Sequence, residues 1–277
     1  MRFRFLTIAI AAVLAAGLLA SLGLAAPPRL LQAQSSAIPV DTELVLAVDV
    51  SYSMDPEEQQ IQREGYVEAI TSREFMAAIR AGSHGKIALT YFEWAGADDQ
   101  TIIVPWRLIE GPETADAFGA EITRAPYRRA SRTSIGGALM FAKPLFAASG
   151  FRGLRRVVDV SGDGPNNSGP LVLPQRDDLV TAGITINGLP LTLNRPNSFS
   201  MDIANLDVYY EDCVIGGPGA FVIPVRNREQ FKEAIRTKLI MEVAEPAPAA
   251  RVQRVQARQP RISCTVGEQM WRDRWGN

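Results

Sequence analysis

The chain has 277 residues, of which 47% are hydrophobic and 21% charged, and its formal net charge is -1. This composition is that of an ordinary globular protein, and the length allows one generous domain or two small ones with a sizeable core. Because positive and negative side chains nearly balance, the composition gives no sign of a nucleic-acid-binding surface, and we expect no nucleic acid among the partners.

The N-terminus differs in character from the rest of the chain. Arg2 and Arg4 precede an uncharged, mostly aliphatic run from Phe5 to Ala26. A basic start followed by an apolar centre is typical of an export signal, and the length of the run also suits an uncleaved membrane anchor. We predict that residues 1–33 are a signal peptide or an N-terminal membrane anchor. The rest of the chain is then exported and periplasmic or secreted, either free or attached to a membrane through this segment.

The first predicted strand ends in a stretch rich in oxygen-bearing side chains. The apolar run within Glu43 to Val50 predicts a strand that is buried on both faces, as in a parallel α/β sheet. Asp49, Ser51 and Ser53 follow at alternate positions, and such sheets bind ligands beyond the carboxyl ends of their strands. One carboxylate and two hydroxyls are hard oxygen donors, which suit Mg²⁺ or Mn²⁺ better than Zn²⁺.

The next segment carries the signals of a helix start. Asp55 is a suitable N-cap, Pro56 suits the first helical position, and Glu58 completes a capping box. We predict that this helix continues to Arg80 and that Gly82 ends it.

Strands and helices alternate along the rest of the domain. We predict further strands at residues 86–94, 101–109, 155–160, 184–189 and 220–225, and helices at 113–123, from 133 onward, and at 173–182, 205–214 and 228–243. The polar link at residues 96–99 predicts a hairpin, and Pro105 places its second strand at a sheet edge. The pattern predicts an α/β fold: a doubly wound, mostly parallel sheet with one antiparallel edge strand and helices on both faces.

The pattern ends near residue 243. Residues 244–277 have the composition of a Pro/Ala/Arg-rich linker followed by a basic C-terminal tail, and three alternatives are open for that tail. It contacts a membrane surface, folds back onto the domain through Cys264, or is disordered. Cys213 and Cys264 are the two cysteines, and export permits a disulfide between them. Sequence does not fix the distance between them, so paired and unpaired thiols both remain possible.

Three separate segments together form a recognisable site. In a doubly wound sheet the Asp-x-Ser-x-Ser stretch (residues 49–53), Thr133 in Thr-x-x-Gly-x-Ala-Leu, and Asp163 in an Asp-Gly that closes a buried strand can meet at one edge. In this order and context the set resembles the von Willebrand factor type A (vWA) domain and its metal-ion-dependent adhesion site (MIDAS).

The resemblance implies a role for each of these residues. The hydroxyls of Ser51 and Ser53 would bind Mg²⁺ or Mn²⁺, and Thr133 would bind directly or through water. Asp49 and Asp163 would act mostly through water. One position at the cation would remain for a carboxylate from a protein ligand.

A narrower resemblance concerns three other stretches. Residues 91–95 (YFEWA), 159–167 (DVSGDGPNN) and 213–221 (CVIGGPGAF) resemble an uncharacterised exported family, domain of unknown function 1194. The vWA-like resemblance covers residues 43–243. The narrower match indicates fold and location and implies no known activity.

The surroundings of the site suggest a ligand-binding rim. Glu93 and Trp94 end the second strand on the same predicted edge, and Arg128 and Arg129 lie in the basic loop before Thr133. Arginines beside a cation favour an acidic ligand, although a simply solvated loop is the alternative. Trp94 is either an anchor for a partner or a cover for the sheet edge.

The chain lacks an obvious catalytic base. His84 is its one histidine, and we place it in an exposed turn before the second strand, at the edge opposite the site. A Ser-His-Asp triad and a zinc site are therefore disfavoured. As an acid within a strand, Asp159 is expected to pair with Arg155 or Arg156 or to lie at a sheet edge.

These observations lead to one prediction of function. We expect an exported vWA-like binding protein, not an enzyme, that holds a divalent cation and uses it to bind an acidic group of a protein ligand. The alternatives are a metal-free structural or scaffold module of the cell envelope and, less favoured, a metal-assisted hydrolase.

Overall fold

The computed structural model describes residues 37–192, 203–244 and 260–276, and the residues from Ile38 onward form one compact unit. The predicted signal or anchor at residues 1–33 and most of the predicted linker lie outside the described residues. Within the described part, no helix is both long enough and apolar enough to cross a membrane.

The described residues contain five strands and eight α-helices. The strands are β1 (Ile38–Asp49), β2 (Ile87–Trp94), β3 (Gln100–Ile109), β4 (Phe151–Gly162) and β5 (Thr185–Pro190). The helices are α1 (Pro56–Ile70), α2 (Arg73–Arg80), α3 (Pro112–Arg124), α4 (Ile135–Ala147), α5 (Val172–Thr181), α6 (Leu206–Tyr209), α7 (Phe231–Val243) and α8 (Val266–Trp275). A π-helical turn (Tyr210–Val214) continues α6, and a 3-10 turn (Arg228–Gln230) precedes α7.

The five strands form a single sheet in the order β3-β2-β1-β4-β5. β1 lies at the centre and runs parallel to β2 and β4, β5 is parallel to β4, and β3 is antiparallel to β2 at the edge. The predicted doubly wound sheet with one antiparallel edge strand is confirmed.

Helices cover both faces of the sheet, so the chain has a hydrophobic core on each. Leu44 and Leu46 of β1 point into the core under α1, α2, α3 and α7. Val45 and Ala47 alternate with them and point into the core under α4, α5 and α6. Burial on both faces explains why β1 is a continuous apolar run rather than an alternating one.

The predicted helix from Pro56 to Arg80 is two helices. The capping box at its start is confirmed: Glu58 N donates to Asp55 Oδ1 at 2.8 Å, and Asp55 N donates to Glu58 Oε2 at 3.1 Å. Continuity to Arg80 was wrong because Ser72 acts as a second N-cap, and its hydroxyl accepts a hydrogen bond from Phe75 N at 3.1 Å.

The predicted strand at residues 220–225 is not a regular strand. It runs parallel to β5 and makes only isolated bridges, Gly188 to Val222 and Leu191 to Val225. Ile223 N and Val225 N donate to β5, but Pro190 has no N–H to return a bond. The prediction of a full strand failed because the last residue of β5 interrupts the ladder.

Asp159 is neither at a sheet edge nor paired with a neighbouring arginine. It lies in β4 with no exposed surface, and Lys238 Nζ of α7 contacts its Oδ1 at 2.5 Å. Lys238 also contacts Glu242 Oε1 at 2.5 Å. The two arginines that we expected as partners bind elsewhere. Arg155 donates to the carbonyl oxygen of Glu242, and Arg156 donates to the carbonyl oxygen of Ala182.

The described part of the tail folds back onto the domain. Cys213, in the π-helical turn, forms a disulfide with Cys264, and their Cα atoms are 5.5 Å apart. Arg261 pairs with Glu211 and Asp212 beside it. Of the three alternatives for the tail, the structure shows the one in which it folds back onto the domain through Cys264.

Candidate metal site

The first part of the site is the turn that follows β1. The register of β1 with β4 pairs Val48 with Ser161, which places Asp49 beside Gly162 at the carboxyl edge of the sheet. Ser51 N donates a 2.7 Å hydrogen bond to Asp49 Oδ1, so the carboxylate shapes the turn that leads away from the strand.

Hydrogen bonds join this turn to the end of β4. The Ser51 and Ser53 hydroxyl oxygens are 2.8 Å apart, and Ser53 Oγ donates to Asp163 Oδ1 at 2.6 Å. The residues at positions 53 and 163 are far apart in the chain and meet because β1 and β4 are adjacent parallel strands. The structure thus brings together four of the five residues that the sequence predicts as ligands.

Thr133, the fifth predicted ligand, reaches the same place through the loop that precedes α4. Tyr52 N donates to Ala130 O at 2.9 Å, which holds this loop alongside the turn after β1. Thr133 is 4% exposed, and a Cβ placed on Gly164 would lie 3.9 Å from its Oγ1. Its hydroxyl therefore lies next to the residue that follows Asp163.

The Asp49 carboxylate is fully buried and only half satisfied. Its Oδ1 accepts from Ser51 N, whereas Oδ2 makes no well-formed hydrogen bond within the described residues. Burial raises the pKa of Asp49 to about 7, and hydrogen bonds from Ser51 and from the backbone of Asp163 oppose that rise. A positive charge beside this carboxyl would favour its ionised form.

The space around Asp49 requires a glycine at position 162. A Cβ on Gly162 would lie 2.9 Å from Asp49 Oδ2 and 2.9 Å from the Tyr210 hydroxyl oxygen. The Tyr210 hydroxyl is itself buried, and no hydrogen-bond partner for it lies among the described residues. The sequence did not single out either residue for the site. The missing side chain at Gly162 leaves the space that the Asp49 carboxylate and the Tyr210 hydroxyl occupy.

The oxygen atoms that meet at this site suit a hard divalent cation as ligands. Within the described residues there is no group of three or more His, Cys, Asp or Glu side chains that could hold a metal ion. The set consists instead of three hydroxyls and two carboxylates, all of which offer oxygen atoms as metal ligands, and Asp49 Oδ2 makes no well-formed hydrogen bond within the described part of the chain. Mg²⁺ and Mn²⁺ are the ions that such ligands suit best.

Two of the residues predicted for the rim are interior. Glu93 is 1% exposed and forms a 2.6 Å ion pair with Arg63 of α1, and Trp94 has no exposed surface and lies in the core beneath α4. The rim prediction for this pair was wrong because β2 is covered on both faces to its last residue. Burial raises the pKa of Glu93, and Arg63 opposes the rise.

Arg128 and Arg129, the other two, lie in the predicted loop and are engaged in different ways. Arg128 pairs with Asp99 in the link between β2 and β3. Arg129 donates to the carbonyl oxygens of Tyr52 and Met54, at 2.8 and 2.6 Å, and its guanidinium lies 5.2 Å from the centre of the Tyr52 ring. Arg129 therefore adds positive charge directly beside the Ser51–Ser53 turn.

Sequence reasoning missed the residue that orients Thr133. Thr133 N donates to Asn167 Oδ1 at 3.0 Å, and Asn167 N donates back to Thr133 O at 2.8 Å. In the sequence, the pair Asn166-Asn167 shortly after Asp163-Gly164 is the available signal for this residue.

Comparison with known protein families places the chain. A family model described as "Protein of unknown function (DUF1194)" matches residues 39–247. The chain belongs to this family. The matched range contains all five candidate ligands and ends before α8. A comparison with curated proteins gave no match.

Solved structures show that this DUF1194 chain has the vWA fold. One neighbour is proximal thread matrix protein 1 from the mussel byssus, solved with a zinc-occupied MIDAS motif (14% identity, 75% of this chain, 48% of that chain, TM-score 0.52). A second neighbour is the pilus adhesin SpaC from Lactobacillus rhamnosus GG (12% identity, 76% of this chain, 31% of that chain, TM-score 0.54). A third is a von Willebrand factor type A protein from Catenulispora acidiphila (12% identity, 74% of this chain, 43% of that chain, TM-score 0.50). The chain spans less than half the length of each of these structures.

Proposed function

We propose that this protein is an exported binding module that holds a divalent cation at Asp49, Ser51, Ser53, Thr133 and Asp163. With the cation bound, the site would offer a Lewis-acidic position to a carboxylate of a protein ligand. The observation that carries the proposal is the convergence of these five oxygen-bearing residues at one edge of the sheet, where the buried Asp49 carboxylate has an Oδ2 that makes no well-formed hydrogen bond within the described residues. A buried, half-satisfied carboxylate is costly unless something positive compensates it.

The distribution of positive charge supports an acidic ligand. Arg129 lies over Tyr52 and is bound to carbonyl oxygens, and Tyr52 is 59% exposed at the surface of the same turn. The guanidinium charge therefore stays available beside the site, and an exposed aromatic ring next to it is typical of binding surfaces. The partner we propose is a protein segment that presents an Asp or Glu carboxylate.

Binding rather than catalysis is the function that the site supports. His84 N donates to Asp41 Oδ1 at 2.8 Å, so the histidine belongs to the amino-terminal edge of the sheet. The rise of β1 separates Asp41 from Asp49 by roughly 26 Å. The imidazole is thus too far away to act as a base at the site, and a metal-assisted hydrolase remains the less favoured alternative.

Export is supported by two independent features. The basic and apolar N-terminus is typical of a signal or anchor. The pairing of Cys213 with Cys264 suits an oxidising compartment such as the periplasm or the extracellular space.

Thermal unfolding with and without divalent cations tests the metal site. We expect Mg²⁺ or Mn²⁺ to raise the melting temperature of the wild type and to have no such effect on Asp49→Ala, because the central carboxylate is gone. Zn²⁺ belongs in the series because the mussel protein holds it. Asp116→Ala, which removes an exposed carboxylate on α3, is the matched control and should respond like the wild type. An equal lack of response in wild type and Asp49→Ala would favour the metal-free scaffold.

The ligand can then be tested with the same pair of proteins. Partners captured by the wild type in Mg²⁺ should be released by a chelator and should be absent from Asp49→Ala. Recovery of the same partners from both proteins, regardless of chelator, would contradict cation-mediated binding.

A further inference from the structure

The C-terminal helix α8 packs against the loop that carries Asp163. A Cβ on Gly267 would lie 2.0 Å from Asn166 O, so the first turn of α8 is in direct contact with the backbone of residues 163–170. The disulfide between Cys213 and Cys264 anchors the chain just before this helix. α8 lies outside the range that the family model matches, whereas the loop that it contacts lies within it.

Asn166 links α8 to the loop and to α4. Its side chain is fully buried, and its Nδ2 donates to Glu268 Oε1 of α8 at 2.7 Å and to Pro170 O at 3.1 Å. Its Oδ1 accepts from Gly136 N, in the first turn of α4, at 2.9 Å. Glu268 therefore supplies one of the acceptors that fix the loop between Asp163 and α5.

A second contact reaches the segment that carries Thr133. The Arg132 guanidinium lies 3.1 Å from the centre of the Trp271 ring, and Trp271 stacks on Trp275 at 5.7 Å. Arg132 has φ 77°, a left-handed conformation that a residue with a side chain rarely adopts without support from its surroundings. Thr133 follows it directly, so α8 contacts the supports of both Asp163 and Thr133.

We propose that α8 is a positioning element of the metal site, with Glu268 as its positioning residue, and that the Cys213–Cys264 disulfide makes cation affinity depend on redox state. This inference rests on the proposed function. Asp49 is the last residue of β1, and Ser51 and Ser53 lie in the turn that follows it, whereas Asp163 and Thr133 lie on the two loops that α8 supports. Loops with fewer fixed contacts visit other conformations, and residues that orient metal ligands indirectly commonly change affinity by an order of magnitude or more.

Mn²⁺ affinity of Glu268 variants tests the positioning role. In the full-length protein, measured with Mn²⁺ alone by electron paramagnetic resonance, Glu268→Ala should bind about tenfold more weakly than the wild type. Glu268→Gln should remain within about twofold, since its amide oxygen can still accept from Asn166. Asp273→Ala removes an exposed carboxylate from the same helix and should match the wild type. Unchanged affinity in Glu268→Ala would overturn the proposal. So would similar losses in Glu268→Gln and Asp273→Ala, which would indicate a general effect of charge.

Reduction of the disulfide tests the redox dependence. A phosphine reductant should weaken Mn²⁺ binding by the wild type about tenfold, to the level of a Cys213→Ser/Cys264→Ser variant, and should leave that variant unchanged. Circular dichroism identifies a temperature at which every variant is folded. If the cysteine variant does not fold, the Mn²⁺ affinity of Glu268→Ala still tests the positioning role of α8. If the wild type binds no Mn²⁺, both the proposed function and this inference are contradicted. A wild type that binds Mn²⁺ equally well oxidised and reduced would sink the redox dependence alone.

Discussion

At the scale of single residues, the structure contains buried charge that no local sequence pattern could locate. The sequence marks Asp159 as an unusual acid within a strand, but its partner Lys238 lies 79 positions later, on α7. The choice of a nearby arginine followed sequence distance, whereas the sheet and the helix above it decide which charges meet. The metal-site residues were predictable for the opposite reason, because each sits at the end of a strand or the start of a helix in a recognisable motif.

The charged cluster of Asp159, Lys238 and Glu242 predicts a pH dependence of stability. Burial raises the pKa of Glu242 from 4.5 to about 7, the negative charge of Asp159 adds to the rise, and Lys238 opposes it. Between pH 4.5 and 7 the unfolded chain has lost this proton while the folded chain keeps it, so the free energy of unfolding should fall as pH rises through this window. The contribution is on the order of 3 kcal/mol at most.

Replacement by a neutral isostere isolates this effect. Urea unfolding of Glu242→Gln from pH 4.5 to 7.5 should show a smaller fall in stability than the wild type, because the substituted side chain cannot ionise. Glu233→Gln, an exposed change on the same helix, is the control. Parallel pH profiles for wild type and Glu242→Gln would contradict this assignment.

At the scale of elements, capping and turn chemistry account for most of what could be predicted. The alternation of buried runs and capped helices gave the strands, the antiparallel hairpin and the capping box of α1. The break after α1 was missed because Ser72 lies inside an otherwise continuous helical pattern, and a serine there is compatible with both a cap and a helix interior. The irregular segment after β5 was missed because Pro190 acts across the sheet, on a neighbouring chain segment.

The cap at Ser72 should affect stability without affecting the metal site. Its hydroxyl accepts from Phe75 N and donates to Ala69 O at 2.7 Å, so Ser72→Ala should cost about 1 kcal/mol in urea unfolding. Ser72→Thr keeps the hydroxyl and should cost much less. The 15 residues of α1 separate this cap from the site by roughly 22 Å, so Mn²⁺ affinity should stay at the wild-type value. A loss of affinity in Ser72→Ala would mean that α1 and α2 transmit changes to the site.

At the scale of the whole molecule, the sheet topology brings the candidate ligands together, and the tail packs against the loop that carries Asp163. Parallel strands β1 and β4 bring the Asp49 turn and Asp163 to one edge, which is why fold and candidate ligands could be predicted together. The contact of α8 with that edge could not, since Cys264 was the single signal and nothing in the sequence sets its distance from Cys213. The family-model match stops before the helix for which we propose a positioning role.

The disulfide should therefore contribute to global stability as well as to the site. It closes a loop with a sequence separation of 51, and the chain-entropy estimate for a loop of this length is about 4 kcal/mol at 25 °C. Cys213→Ser/Cys264→Ser should accordingly melt about 8–16 °C below the oxidised wild type in calorimetry, and the reduced wild type should melt with it. Glu268→Ala, which keeps the disulfide but loses the contact with Asn166, should lose far less in melting temperature than the cysteine variant. If both variants melted equally low, the packing of α8 rather than the covalent link would be the source of the stability.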